Sequence, residues 1–406
     1  MQQALIALAL AALTATGVAL HPVIHAAVAD PAPVSTPVSP PRAAPPLAAH
    51  APVVDLVFVL DTTGSMEGLI NAAKEKIWSI ATTMARAQPT PRIRIGLVGY
   101  RDRGDEYVTR VFDLTTDLDS MYAQLMAFSA GGGGDGPESV NAALADAVNR
   151  MSWSTAPGAY RVMFLVGDAP PHMDYANDVP YTATLAAARD RGIVINAIRC
   201  GSDDAVLAPW KQIAALGQGN YLEVDADGSA VAIATPFDAR LATLASAMDE
   251  TRVYYGTPEV QAASEAKVEA TRKLDAKASL ASKARRATFN ATDAGRLNAL
   301  GERELVEDVA RGKVALESLA PSELPAALAA LPAPARAAVL EEKAAKRALL
   351  RKEMQALASQ RDDYLAKEVA KSGGAASSLD AKLFGTLRDQ ASRVGGLELD
   401  ARGPAY

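Results

Sequence analysis

The chain has 406 residues, of which 49% are hydrophobic and 5% aromatic, and its formal net charge at pH 7 is −6. This length exceeds that of one typical domain and predicts roughly two or three folded units. The acidic balance, without a basic patch interleaved with aromatic side chains, argues against a nucleic-acid partner.

An apolar stretch, MQQALIALALAALTATGVAL, begins the sequence, and the small residues Ala27, Val28 and Ala29 follow at positions that a signal peptidase reads. We interpret residues 1–29 as a signal peptide, although no Lys or Arg precedes the apolar run. The alternative is an uncleaved N-terminal membrane anchor. Cleavage predicts a bacterial periplasmic or secreted protein without a membrane span. Cys200 is the single cysteine, which excludes internal disulfides, and the apolar run before it predicts a buried thiol.

Three regions of different composition follow the predicted signal peptide. Residues 30–52 are dominated by Pro and Ala and predict an extended linker. Over residues 53–250, apolar runs alternate with amphipathic segments of helical length, which predicts an α/β fold with a doubly wound, mostly parallel sheet. The strands are predicted at VVDLVFVL, RIRIGLVGY, YVTRVF, RVMFLVG, IVINAI and NYLEV. Because this alternation is complete by residue 248, we expect residues 53 to 248 to fold without the remainder.

Residues 251–406 are rich in Ala, Lys, Arg, Glu and Leu, which predicts an all-α, Ala-rich helical region. Breaks near Asp293, within APSELPAALAALPAPA and within SGGAASS predict roughly four helices. The sequence shows no long heptad seam, so its charged residues are interpreted as a solvated face.

Oxygen-bearing side chains follow the predicted strands in three loops, LDTTGSM, SAGGGGDGPES and GDAPPH. In doubly wound folds, ligands bind beyond the carboxyl ends of the strands. The loops supply the carboxylates and hydroxyls of Asp61, Asp135, Asp168, Thr63 and Ser65. This all-oxygen set suits a hard divalent cation, with Mg2+ preferred over Mn2+ or Ca2+. The alternative for the first loop is that its polar side chains only cap the following helix.

Residues 53–250 resemble a von Willebrand factor type A domain, and the DTTGS sequence is similar to the metal-ion-dependent adhesion site of that family. The stretches GGGGDGPES and LVGDAPPH are most similar to its hemicentin-like branch and bacterial relatives. The resemblance implies that Asp61, Thr63, Ser65 and Asp168 are ligands of a divalent cation.

The second loop departs from the family pattern. Most members place a Thr where this chain places Asp135, so the charge of the metal site differs from theirs. Glu138 is the alternative ligand, or else it caps the helix that begins near Ser139. We expect His172 to support a ligand or to pack within its loop.

These patterns predict an exported binding protein without catalytic activity, in which the cation coordinates an acidic side chain of a protein partner. One alternative is an envelope scaffold that acts through its helical region. Another is a metal-dependent phosphohydrolase, which is disfavoured because Thr63 stands where its D-x-D-x-T motif needs a second aspartate. A multi-histidine zinc site is excluded, since only His50 and His172 follow residue 29. A Ser-His-Asp triad is disfavoured because no G-x-S-x-G motif accompanies His172.

Overall fold

The structure, a computed structural model, describes residues 51–406 except residue 135 and residues 227–232, 372–377 and 401–402. The predicted signal peptide and nearly all of the predicted linker therefore lie outside the described residues. The strands are β1 (Val53–Asp61), β2 (Arg92–Tyr100), β3 (Thr109–Thr115), β4 (Tyr160–Gly167), β5 (Ile193–Cys200) and β6 (Gln218–Val224). The helices up to residue 250 are α1 (Glu67–Ala85), α2 (Leu118–Ala127), α3 (Val140–Asn149), α4 (Tyr181–Asp190), α5 (Asp204–Leu216) and α6 (Asp238–Asp249). Beyond it follow α7 (Pro258–Lys277), α8 (Leu280–Ala291), α9 (Asp293–Leu300), α10 (Leu305–Ala310), α11 (Ala326–Ala329), α12 (Ala333–Lys371) and α13 (Leu379–Gln390).

The six strands form one sheet in the order β3-β2-β1-β4-β5-β6, in which only β3 runs antiparallel to its neighbour. Central strand β1 is buried on both sides: Leu56 and Phe58 belong to one hydrophobic core, and Val57 and Val59 belong to the other. Helices on both faces explain why β1, β4 and β5 are nearly continuous apolar runs. The prediction of a doubly wound, mostly parallel sheet followed by a helical region is confirmed.

Different parts of the chain cover the two faces of the sheet. Helices α3, α4 and α5 cover the face of Val57 and Val59, where Leu144, Leu185 and Trp210 are buried. The opposite face packs against α1 and α2, and also against α8 and α13 from the helical region, whose buried side chains join the same core. The described residues therefore form one compact unit.

An aromatic contact illustrates this shared core. The Trp78 ring of α1 lies between Tyr122 of α2 and Phe289 of α8, at centroid distances of 5.5 and 5.6 Å. On α13, Gln390 accepts a hydrogen bond from Tyr160 of β4 at 3.0 Å and donates one to Asn196 of β5 at 2.7 Å. The helical region therefore covers part of one face of the sheet, and independent folding of residues 53 to 248 stays a prediction.

Buried ion pairs link the same layers. The Arg286 guanidinium of α8 makes two 2.6 Å hydrogen bonds to the carboxylate of Asp119 on α2 and one of 2.8 Å to Asp249 of α6. Burial alone would raise the pKa of Asp119, but the charge and hydrogen bonds of Arg286 outweigh it and hold the pKa well below its usual range. Removing one partner would leave the other charge buried and uncompensated.

Helix α12 corrects the interpretation of the charged residues in this region. Leu340, Arg347, Met354 and Arg361 are buried at intervals of seven residues and form a seam. Arg347 pairs with Glu304 at 2.8 Å, and Arg361 donates to Asp238 of α6 at 2.9 Å. An apolar pattern could not reveal this seam, because half of these positions are arginines satisfied by buried carboxylates.

The described part of residues 251–406 also contains seven α-helices rather than roughly four. Ser279, Thr292 and Ser378 accept hydrogen bonds from backbone N–H groups and begin α8, α9 and α13. These caps divide stretches whose composition reads as continuous helix. Among the described residues, no helix combines the length and the apolarity that crossing a bilayer requires.

We predict that a fragment comprising residues 53–250 aggregates or remains partly unfolded. It would expose the side chains of α1 and of the sheet that α8 and α13 cover, and large exposed apolar patches promote association. Size-exclusion chromatography and near-ultraviolet circular dichroism of the fragment and the full chain provide the measurement. A monomeric fragment with a near-ultraviolet circular dichroism signal typical of native tertiary structure would contradict this prediction and show that the fragment folds independently.

We predict that Phe289→Ala lowers the free energy of unfolding by about 3–5 kcal/mol, because this fully buried ring leaves a cavity against Trp78. Leu280→Ala on the same helix is the matched control, since Leu280 is 52% exposed. The control should change stability by less than about 0.5 kcal/mol. Urea denaturation followed by tryptophan fluorescence distinguishes the two, and equal effects would contradict the shared core.

Candidate functional site

The carboxyl end of β1 carries a compact set of oxygen atoms. Asp61 is fully buried, and its Oδ1 accepts hydrogen bonds from the backbone N–H of Thr63 at 2.9 Å and from the Thr63 hydroxyl at 2.6 Å. The Thr63 hydroxyl also lies 3.4 Å from that of Ser65. Thr63 provides no side-chain cap to the 3-10 turn Gly64–Met66 that leads into α1. The turn therefore gathers these side chains around Asp61, which the helix-cap alternative does not explain.

The second carboxylate oxygen of Asp61 has a different environment. Its Oδ2 is buried and makes no hydrogen bond within the described part of the chain. Burial, together with the negative charge of Asp168, outweighs the hydrogen bonds from Thr63 and the contact with the Asp168 backbone N–H, and raises the pKa of Asp61 to about 7. An ionised Asp61 is thus poorly compensated by the chain itself, and a positive charge near Oδ2 would stabilise it.

The end of β4 brings the third loop beside Asp61. Gly167 is required there, because a Cβ atom would lie 2.4 Å from the Tyr100 hydroxyl and 3.2 Å from Asp61 Oδ2. The half-buried Asp168 follows directly. The indole N–H of Trp210 donates to the carbonyl of Ala169 at 3.1 Å and fixes the start of this loop. The first and third predicted motifs therefore meet at the same edge of the sheet.

The second loop closes over the first through its backbone. Gly64 N–H donates to Gly132 O at 3.2 Å. Gly133 has a φ of +78°, and a Cβ there would lie 3.2 Å from Thr63 Cβ and 3.3 Å from Glu138 Oε1. The glycine run thus allows the backbone to pass between Thr63 and Glu138. Asp135, the predicted ligand in this loop, lies outside the described residues.

Glu138 lies beside the second loop, and it is not the N-cap residue of α3. Ser139 is the N-cap residue of α3, and Glu138 pairs through its backbone with Pro171 of the third loop. Its buried side chain faces Gly133 on the side of Thr63. The structure therefore places Glu138, with the side chains of the first loop, at the carboxyl edge of the sheet.

His172 packs within the third loop. Its ring stacks on Tyr175 with a centroid distance of 4.0 Å and an interplanar angle of 14°. Its Nδ1 lies 2.8 Å from Asp174 Oδ1, and its backbone N–H donates to Glu138 O at 3.0 Å. His172 thus connects the second and third loops.

Sequence reasoning missed the supporting residues after β2. Asp102 accepts hydrogen bonds from the Ser139 hydroxyl at 2.8 Å and from the Tyr175 hydroxyl at 2.7 Å. Asp105 accepts from the backbone N–H of Gly133 at 3.1 Å. The signal was present in the RDRGD run, which follows a predicted strand and therefore lies at the same edge as the three loops.

The chemistry of the donor set suits a hard cation. Within the described residues, no group of three or more His, Cys, Asp or Glu side chains is placed to hold a metal ion. The donors at the edge of the sheet are instead two carboxylates, Asp61 and Asp168, and two hydroxyls, Thr63 and Ser65. Oxygen-only donors suit Mg2+ or Ca2+, with water completing the coordination. The buried Asp61 Oδ2, which makes no hydrogen bond within the described residues, is compatible with such an ion.

Comparison with known proteins identifies the sheet domain. The family model of the von Willebrand factor A domain matches residues 55–200, so the chain contains such a domain. The chain is 31% identical over 121 residues to the alpha-protein kinase vwkA of Dictyostelium discoideum and 42% identical over 93 residues to human von Willebrand factor A domain-containing protein 7. These alignments cover 29% and 23% of this chain but only 19% and 10% of the relatives.

Two solved structures are also similar. One is proximal thread matrix protein 1 from the mussel byssus with a zinc-occupied MIDAS motif, with 16% identity, a TM-score of 0.35, and coverage of 43% of this chain and 42% of that chain. The other is the SpRpn10 VWA domain, with 12% identity, a TM-score of 0.33, and coverage of 43% of this chain and 89% of that domain.

We predict that Asp61→Asn has opposite effects on stability and on cation binding. The substitution should abolish detectable Mg2+ binding and stabilise the metal-free protein by about 1–3 kcal/mol at pH 8, because the amide carries no desolvated charge. Calorimetric titration and urea denaturation in a chelator are the measurements.

Asp55→Asn is the matched control, since Asp55 is equally buried on the same strand but forms a two-pronged ion pair with Arg94. We expect it to destabilise the protein without changing its affinity for Mg2+. If Asp61→Asn binds Mg2+ with unchanged affinity, Asp61 is not a metal ligand and the DTTGS turn has a purely structural role.

Proposed function

We propose that this protein is an exported, divalent-cation-dependent protein-binding protein without catalytic activity. The cation, Mg2+ in our proposal, would be held by Asp61, Thr63, Ser65 and Asp168. Asp135 would complete the set, with Glu138 as the alternative. The partner would be a protein that presents an acidic side chain.

The observation that carries this proposal is the buried, unsatisfied Oδ2 of Asp61 at the carboxyl edge of the sheet. When bound there, a divalent cation supplies an electrophilic coordination position for a partner carboxylate. The hydroxyls of Thr63 and Ser65 are neutral donors, so they orient the site without cancelling further positive charge. Two carboxylates balance a 2+ ion, and the charge left for a partner therefore depends on whether Asp135 or Glu138 participates.

A binding role without catalysis agrees with the surroundings of His172. Its ring is engaged by Asp174 and Tyr175, with Asp102 Oδ2 3.4 Å from its Nε2. In our proposal His172 is a structural element of the third loop. The absence of catalysis is part of our proposal.

The location outside the cytoplasm is proposed from the sequence. It rests on the apolar stretch before Ala27 and on the Pro-rich residues that follow. Intact-mass analysis of the natively produced protein tests it, since cleavage near Asp30 would remove the apolar stretch.

We predict that proteins captured from an envelope extract of the source organism by the full chain in Mg2+ are released by a chelator and are not retained by Asp61→Asn. Ser65→Ala should weaken capture partially, because one neutral donor of several is lost. Quantitative mass spectrometry of the bound fraction measures the effect. Capture that persists equally in the chelator and with Asp61→Asn would contradict a metal-dependent interaction.

A further inference from the structure

Thr62 lies between two of the residues proposed to hold the cation, Asp61 and Thr63, but its own polar atoms are engaged elsewhere. It is fully buried, and its backbone N–H donates to the carbonyl of Tyr100 at 2.9 Å. Its hydroxyl donates to the same carbonyl at 2.8 Å and lies 2.7 Å from the hydroxyl of Tyr107. The position of the DTTGS turn therefore depends on residues at the end of β2 and just after it.

The carbonyl of Thr62 joins this turn to the second loop. The Nε of Arg101 donates to this carbonyl at 3.1 Å, and the backbone N–H of Gly131 donates to it at the same distance. A second nitrogen of the Arg101 guanidinium donates to the carbonyl of Ser129 at 2.7 Å. One side chain thus holds backbone atoms of the first and the second loop at the same time.

Arg101 is itself fixed by its surroundings. The residue is only 6% exposed, and its guanidinium lies over the Tyr107 ring, 4.6 Å from the ring centroid. The carboxylate of Glu106 lies 3.6 Å away, but this side chain is 63% exposed and solvent screens its charge. A planar guanidinium presents its N–H donors in a fixed geometry, so it aligns two carbonyl groups more rigidly than a lysine ammonium does.

The influence of Arg101 on a bound cation would pass through the backbone. Within the described part of the chain, its side chain donates to backbone carbonyls and not to the side chains that would hold the cation. The carbonyl of Thr62 belongs to the peptide group that leads directly into Thr63. A displacement of that peptide group would therefore move the Thr63 hydroxyl away from Asp61.

We propose that Arg101 is a positioning residue of the candidate cation site, which sets the affinity for the cation by holding the Thr62 carbonyl and the second loop in a fixed relation. This inference rests on the proposed function and adds a residue to that site. Loss of an interaction that orients metal ligands typically lowers metal affinity by about 10- to 100-fold.

The test compares Arg101→Met with Arg161→Met in the full chain. Methionine keeps an unbranched side chain and removes all the N–H donors. Arg161 is the matched control, because its guanidinium also donates to backbone carbonyls, those of Ser154 and Ala156. It lies at the amino end of β4, at the opposite edge of the sheet from the candidate site. Both variants lose hydrogen bonds of the same kind, but only Arg101→Met loses contacts with the first and second loops.

We expect calorimetric titration to show that Arg101→Met binds Mg2+ about tenfold more weakly than the wild type, or weaker still, and that Arg161→Met binds it with wild-type affinity. Hydrogen–deuterium exchange in a chelator should be faster over residues 129–134 in Arg101→Met alone. Urea denaturation in a chelator measures the stability that each variant loses, which separates a general loss of structure from a loss of positioning.

Arg101→Lys is the second variant, and it decides the question if Arg101→Met does not fold. It keeps the positive charge and the length of the side chain. We expect it to bind Mg2+ more weakly than the wild type, because an ammonium does not reproduce the geometry with which the guanidinium serves two carbonyls.

Three results would overturn the inference. Wild-type Mg2+ affinity in Arg101→Met, or in Arg101→Lys if the Met variant does not fold, would reject the positioning role and leave the proposed function standing. An equal loss of affinity in Arg161→Met would also reject it, because the effect would then follow from lower stability. If the wild-type chain binds no Mg2+, the proposed function fails and this inference falls with it.

Discussion

The desolvation of one carboxylate organises the candidate site. Strand β1 is buried on both faces, so Asp61 at its carboxyl end is shielded from solvent even without a ligand. An ionised group in such a position needs compensation. Thr63 supplies hydrogen bonds to one oxygen of Asp61, while the other makes none within the described chain. The three loops are therefore arranged around a charge that the protein alone leaves incompletely satisfied.

The sheet reaches its stability through segments that are distant in sequence. Its face opposite α3, α4 and α5 is covered by α1 and α2 together with α8 and α13, which contribute Phe289 and Leu383 to the core. The cost of burying the Arg286 guanidinium is offset by Asp119 and Asp249, which belong to two other helices. The helical region is thus an integral layer of the fold, and its charged residues help to specify how the helices pack.

The pattern of apolar residues predicted the strands of the sheet, but it did not predict which residues of the helical region are buried. Strands β1, β4 and β5 are runs of mostly buried side chains, and such runs indicate burial on two faces directly. Asp61 and Asp168 could likewise be placed together, since the ends of neighbouring parallel strands meet. The buried seam of α12 was not predicted, because Arg347 and Arg361 occupy two of its positions. The carboxylates that pair with them lie far away in the sequence, so the local sequence gives no sign of the pairing. The RDRGD run places Asp102 at the same edge of the sheet, but its partners Ser139 and Tyr175 come from other loops and could not be predicted from the local sequence.

The position of α13 has a consequence for biosynthesis. Strand β1 emerges from the ribosome early, but the helix that covers Leu60 and its neighbours on one face is made about three hundred residues later. Contacts of such long sequence separation slow folding, and the uncovered apolar surface is available for aggregation in the meantime. Part of one apolar face of the nascent sheet therefore stays uncovered until α8 and α13 are made, and a product that ends after α6 would lack these helices.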